Sequence, residues 1–241
     1  MIPASSELVR LGILGLSGLV TLLFCWGAMH AAGPSAAGRR VTRFALLVAA
    51  LWLGLTSVAA LTGVLARFEL RPPPYLLLMI GTVGFGIWAG TSALGKRLAG
   101  CVPLWVLVGV QAFRLPLELV MHRAYEEGVM PVQLSYSGFN FDILTGTSAV
   151  LLSALLYFKR APLGLAAAWN ALGSGCLLMI AIIAITTSPI LRVFGEGPSN
   201  VNYWVAYFPF VLLPAACVVF ALASHIVILR RLRLEHSTTP S

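Results

Sequence analysis

Charge is scarce in this chain. Only 10% of its 241 residues are charged, against roughly 25% in a soluble domain. So few charges cannot cover a water-facing surface of this size. Lysine is nearly missing: Lys96 and Lys159 stand in short connections, and no other occurs. That excludes a retinal-type Schiff base in the last apolar segment. Cys25, Cys101, Cys176 and Cys217 lie in or at the edge of apolar segments and form no CxxC pair. They read as small buried side chains, not as a disulfide or metal framework. HExxH, HxxxH and GxSxG are absent, and no glycine cluster is followed by Lys and Ser or Thr. The marks of a zincin, a serine hydrolase and a phosphate loop are therefore missing. The net charge is +8, yet the basic residues sit singly or in short groups between apolar blocks. Without a basic stripe with interleaved aromatics, nucleic acid is not an expected partner. No cofactor is expected, and an enzyme is the less favoured class.

Apolar residues are abundant, at 59% of the chain, and they come in long blocks. Seven blocks are long enough to span, near 8–29, 44–66, 75–94, 102–122, 142–158, 164–187 and 204–228. Each approaches the ~20 residues that cross a ~30 Å hydrocarbon layer as a helix. Backbone groups must be satisfied internally in lipid, and the blocks show no two-residue alternation, so helices are expected rather than barrel strands. Residues 1–241 thus read as a single transmembrane domain: an all-α, polytopic bundle of seven helices. Small-residue strings recur in "WLGLTSVAAL", "WAGTSAL" and "TGTSAV". Close helix approach accounts for them better than an internal repeat.

Orientation follows the basic residues. With the N-terminus outside, the inner side holds Arg39, Arg40, Arg43, Lys96, Arg97, Lys159, Arg160, Arg230, Arg231 and Arg233. The outer side holds only Arg10, Arg67, Arg71, Arg123 and Arg192. The C-terminus is then inside. A cleaved leader would insert with its start inside and place Arg39, Arg40 and Arg43 outside, and Glu7 spoils a basic leader. The expected location is a bacterial inner membrane, with the bilayer itself as first partner.

The fourth block contains "VQAFRLPLELVMH". At 100° per residue its polar members, Gln111, Arg114, Glu118 and His122, fall within an arc of about 80°. They form one face. That face must look into the bundle, because a central Arg costs roughly 2.5–3.5 kcal/mol in lipid even on the mild insertion scale. Arg114 and Glu118 are four apart and can pair on one helix. Pro116 between them leaves the Ala112 carbonyl without its usual partner and opens room for water or a ligand. Asn140 and Asp142, at the outer start of the fifth helix, reach a similar depth. Asp142 is also suited to the helix N-terminus. Asn170 sits on the inner half, nearer Gln111. Tyr203, Trp204 and Tyr207 read as an aromatic belt opening the last helix on the outer side. His225 lies about twenty residues below that start, roughly 30 Å down, which places it at the inner interface and away from the stripe.

The strings "RPPPYLLL", "VPLWVLVGVQAFRLPLELVMHRAYEEGVMPVQ", "FNFDILTGTSA", "AWNALG" and "SPILRVF" together resemble a family of uncharacterised bacterial integral membrane proteins, over most of residues 45–230. The resemblance implies location and architecture and assigns no reaction.

Two readings of different class follow. In the leading one, Gln111, Arg114, Glu118, His122, Asn140, Asp142 and Asn170 bind or conduct a small polar, anionic or protonatable solute. Arg114 supplies fixed charge there, and Glu118 and His122 exchange protons. In the alternative, the same residues close a hydrogen-bond network that fixes helix packing. The protein is then a structural or accessory subunit with a membrane-protein partner or a second copy of itself. A lesser alternative is a metal-dependent hydrolase with Glu118, His122 and Asp142 as ligands.

Overall fold

The computed structural model describes residues 4–238. Among them the chain is helical throughout and no strand occurs. The helices are α1 (Glu7–Ala32), α2 (Ala36–Leu61), α3 (Pro74–Thr91), α4 (Ala93–Cys101), α5 (Leu104–Gly109), α6 (Arg114–Glu126), α7 (Asp142–Tyr157), α8 (Leu163–Thr186) and α9 (Val219–Thr238). Six helical stretches are long and apolar enough to cross a bilayer. Two are composite. One joins α5 and α6 through a 3-10 turn at Val110–Phe113 and covers Leu104–Glu126; the other adds a π-helical turn, Leu213–Val218, to the start of α9. The remaining expected span, the fifth block near 142–158, is α7, which has 16 residues. At 1.5 Å per residue it is about 24 Å long, short of a ~30 Å core.

The helix starts obey local chemistry. Ser6 caps α1 by accepting from the Val9 amide, and Ser35 caps α2 by accepting from Gly38. Prolines open α3 and precede α5 and α8, where a missing amide costs nothing. α2 begins well before the expected residue 44. The serine cap allows the helix to start inside the basic string, with Arg39, Arg40 and Arg43 on its first turns. "GKRLAG" is part of the short helix α4 and not a bare turn, because Ser92 caps it on the Gly95 amide.

α9 lies at the centre and packs on α3, α4, α5 and α8, while α7 lies against α5, α6 and α8. Small residues permit the closest approaches. A Cβ on Gly146 of α7 would collide with the backbone of Arg114 and Leu115. One on Gly173 of α8 would stand 2.7 Å from the His225 ring. The basic connections gather on one face: Arg97 donates to the Ala31 carbonyl, Arg230 to Gly90 and Arg231 to Ala99. The opposite face carries the chain start, tied by the Ser6 amide to Glu127 at 2.7 Å. The two long connections, 127–141 and 187–212, cover that same face and meet through Gln133 and Asn200, 3.4 Å apart, and through the stacked rings of Phe139 and Phe194.

The last helix departs most from expectation. Residues 198–206 form two short 3-10 turns, and regular helix begins only near Leu213. Trp204, expected in a surface belt, is 1% exposed and packs on Phe210 with ring centroids 5.0 Å apart. Residues that read as the top of a span are instead a folded cap over the bundle. The π turn disturbs the carbonyl ladder, and the Trp52 indole donates to the Ala215 carbonyl at 2.9 Å.

Candidate functional site: a buried ion cluster between α6, α7 and α9

All four members of the fourth-block stripe face protein. Gln111, Arg114 and Glu118 are each no more than 2% exposed, and His122 is half-buried near the N-terminal face. Their partners come from neighbouring elements. Arg114 does not pair with Glu118 along its own helix. Its Nε and Nη2 both donate to Asp142 Oδ2, at 3.2 and 2.6 Å. Its Nη1 lies 2.9 Å from His225 Nε2. The local geometry explains the switch. Asp142 opens α7 beside Arg114, the first residue of α6 after the 3-10 turn at Val110–Phe113. Gly146 lets α7 come close enough for the Asp142 carboxylate to meet it.

His225 is therefore part of the centre, contrary to its expected depth at the inner interface. The helix starts near Leu213 and not at 204, so His225 lies about 18 Å down the helix, at mid-span. A guanidinium has no acceptor, so Nε2 must accept and the ring is neutral with its proton on Nδ1. Nδ1 lies 2.9 Å from Asn170 Oδ1, and the Asn170 amide nitrogen donates to the His225 carbonyl at 3.3 Å. Each bond supports the same tautomer. Asn170 thus joins the centre through His225. Gln111 stands apart and donates to the Ala221 carbonyl of α9 at 3.2 Å.

Asn140 ties the Glu118 carboxylate to the backbone at Asp142. Its Oδ1 accepts from the Asp142 amide at 3.0 Å, which fixes the orientation of the side chain. Its Nδ2 then donates to both Glu118 oxygens at 2.8 Å and to the Leu134 carbonyl at 2.9 Å. One turn toward the N-terminal face, His122 Nδ1 lies 2.8 Å from Ser135 Oγ, and its Nε2 is 3.7 Å from Glu126. Glu118, His122 and Asp142 are each engaged by a different neighbour. Among the described residues no group of three or more His, Cys, Asp or Glu side chains is placed to hold a metal ion.

A cavity of about 30 Å³ lies between Arg114, Glu118 and Asp142 and is closed by apolar side chains of α8 and the π turn. That is the volume of about one water. Asp142 Oδ1 is buried and has no partner, and neither has Gln111 Oε1. A water in the cavity has polar neighbours on three sides, the condition for a buried water. The charge inventory is unequal. Two carboxylates face one guanidinium, and the only imidazole on that guanidinium is neutral. One carboxylate is thus uncompensated when ionised, a costly state in a dry interior.

Comparison with protein-family models, with curated proteins and with solved structures finds no match. Function must therefore be argued from the site.

Proposed function

We propose that the protein is a multi-pass membrane protein that takes up and releases a proton at the Arg114–Asp142–Glu118 centre and couples it to movement of a small polar solute. One observation carries this reading: two buried carboxylates and a single guanidinium border one water-sized cavity, and only Asp142 is paired with that guanidinium. A proton on Glu118 balances the centre, and its loss leaves a net negative charge that the surroundings must answer by moving. His122 stands one helical turn away, about 6 Å along the axis, between Glu118 and the exposed Glu126. It offers a relay to the N-terminal face. The basic connections gathered on the opposite face support an N-terminus outside, as in a bacterial inner membrane, with seven spans when α7, the short fifth, is counted.

The test is a reconstituted vesicle with an internal pH dye and an imposed pH gradient. Wild-type vesicles should dissipate the gradient and Glu118→Gln vesicles should hold it; equal rates would sink the reading. A second reading has its own support. Arg114 joins α6, α7 and α9 through three hydrogen bonds, as expected of a cluster that only fixes packing in an accessory subunit. On that reading both vesicles hold the gradient.

A further inference from the structure

We infer that a second chamber, on the N-terminal side of the ion cluster, binds a small uncharged solute that both donates and accepts hydrogen bonds, with a neutral amide or alcohol as the class. The chamber measures about 80 Å³ and lies between α3, α6, α8 and the cap formed by residues 202–205. Its walls are apolar with three exceptions: Thr82, Asn202 and Trp204. Each is at most 2% exposed. Each holds a polar atom without a partner: the Thr82 hydroxyl, Asn202 Oδ1 and Trp204 Nε1. Buried polar groups are nearly always satisfied, and an orphan left dry is costly. Three on one cavity point to an occupant.

The orphans define its chemistry. An indole N–H only donates, so the occupant must accept. Asn202 Oδ1 only accepts, so the occupant must donate. The Thr82 hydroxyl does either. No charged side chain lines the chamber, so an ion there would lack compensation. One water takes ≈30 Å³ in the liquid, so the space suits a solute of roughly four non-hydrogen atoms.

The chamber shares Met121, Ile180, Leu213 and Val218 with the small cavity at Arg114, Glu118 and Asp142. Those four side chains stand between the two cavities. Methionine repacks easily, and Leu213 and Val218 bound the π turn, a helix form that tolerates rearrangement. The chamber is therefore placed to hand a solute to the proton-exchanging centre. That hand-over rests on the transport reading above, whereas binding in the chamber stands on its own atoms.

The experiment is an indole ¹⁵N–¹H spectrum of the full chain in lipid nanodiscs, titrated with acetamide and, separately, with 2-propanol. The Trp204 signal is identified by its loss in Trp204→Phe. If that variant fails to fold, the signal is the one displaced in Thr82→Val, which borders the same chamber. The Trp204 signal should move saturably, while the half-exposed Trp26 drifts linearly. Thr82→Val and Asn202→Ala should each raise the midpoint about three- to tenfold, the loss of one neutral hydrogen bond. A linear Trp204 response, or midpoints unchanged in both variants, means the chamber holds water only and overturns the assignment. Glu118→Gln should still bind acetamide. Saturable binding there without gradient dissipation in wild type would remove the proton reading and leave the chamber; the reverse pattern would remove the chamber alone.

Discussion

Asp142→Asn is the sharpest perturbation of the centre. It is nearly isosteric and creates no cavity. It removes the one full negative charge bonded to Arg114, which receives two donors at 3.2 and 2.6 Å. The guanidinium would keep its bond to the neutral His225 and one amide oxygen. Removing one partner of a buried ion pair costs ~3–5 kcal/mol. The retained amide acceptor puts this case near the lower end, about 3 kcal/mol. For a chain of this length ~1 kcal/mol shifts the melting temperature by about 2–4 °C, so the expected loss is roughly 6–12 °C in detergent. The double variant Arg114→Met, Asp142→Leu removes both charges together. Apolar replacement of a whole buried pair is often neutral or stabilising by ~1–4 kcal/mol, and here it leaves His225 Nε2 without a donor at a cost of ~1–3 kcal/mol. The double variant should therefore melt within a few degrees of wild type, well above the single one. Thermal melts of the two variants beside wild type decide it. If Asp142→Asn melts with wild type, Arg114 is solvated and not held in a dry pair, and the charge inventory built on it fails.

Glu118→Gln should fold, because the amide can still accept from Asn140. Its infrared difference spectrum between acid and alkaline pH should lose the carbonyl band of a protonated carboxyl. Gly146→Ala drives a methyl into the backbone of Arg114 and Leu115, which cannot yield. Thermal melts should show a loss at or above the ~1–3 kcal/mol typical of overpacking. At the chain start, hydrogen bonds from Ser6 and then the Arg123 partner hold the Glu127 carboxyl below the usual carboxylate range. A depressed folded value means its anchoring is present above the ordinary carboxylate value near ~4.3 and is lost as pH falls through the folded one. Amide protection in the first turn of α1, the exchange rate taken relative to the intrinsic rate at each pH, should thus fall under acid in wild type and stay constant over that range in Glu127→Gln.

The inward face of the fourth block was legible because period and chemistry agreed. Four polar residues within one arc have no other place in lipid, and Asn140 and Asp142 arrive at the right height from the next helix. Their pairing was not legible. An i,i+4 rule favours Arg114 with Glu118, and α6 is regular helix across both, but the rule sees only one helix, and Asp142 of α7 and His225 of α9 take the guanidinium instead. His225 was misplaced for another reason. Hydropathy sees "VNYWVAYFPFVLLP" as the top of a span, because a buried cap and a lipid-facing helix are equally apolar. The signals that could have separated them are Pro209 and Pro214, since each removes a donor within what would be the first turns of that helix.

The centre has a consequence for where movement can arise. Asn140 joins Glu118 to the start of α7: its oxygen accepts from the Asp142 backbone amide and its nitrogen donates to the Glu118 carboxylate. Protonating Glu118 weakens the acceptor that holds Asn140 Nδ2. Asn140 belongs to the 127–141 connection, which also carries Ser135, the partner of His122, and Gln133, the contact to the 187–212 connection. A change of one proton thus bears first on the loop that covers the N-terminal face, not on the helices, which are locked by Gly146 and Gly173 at close approach. Opening by the loop and the π turn needs only a few polar contacts to change. Opening by separation of α6 and α7 would expose the ion pair itself, so on the proposed transport reading the loop is the element on which a two-state mechanism would act.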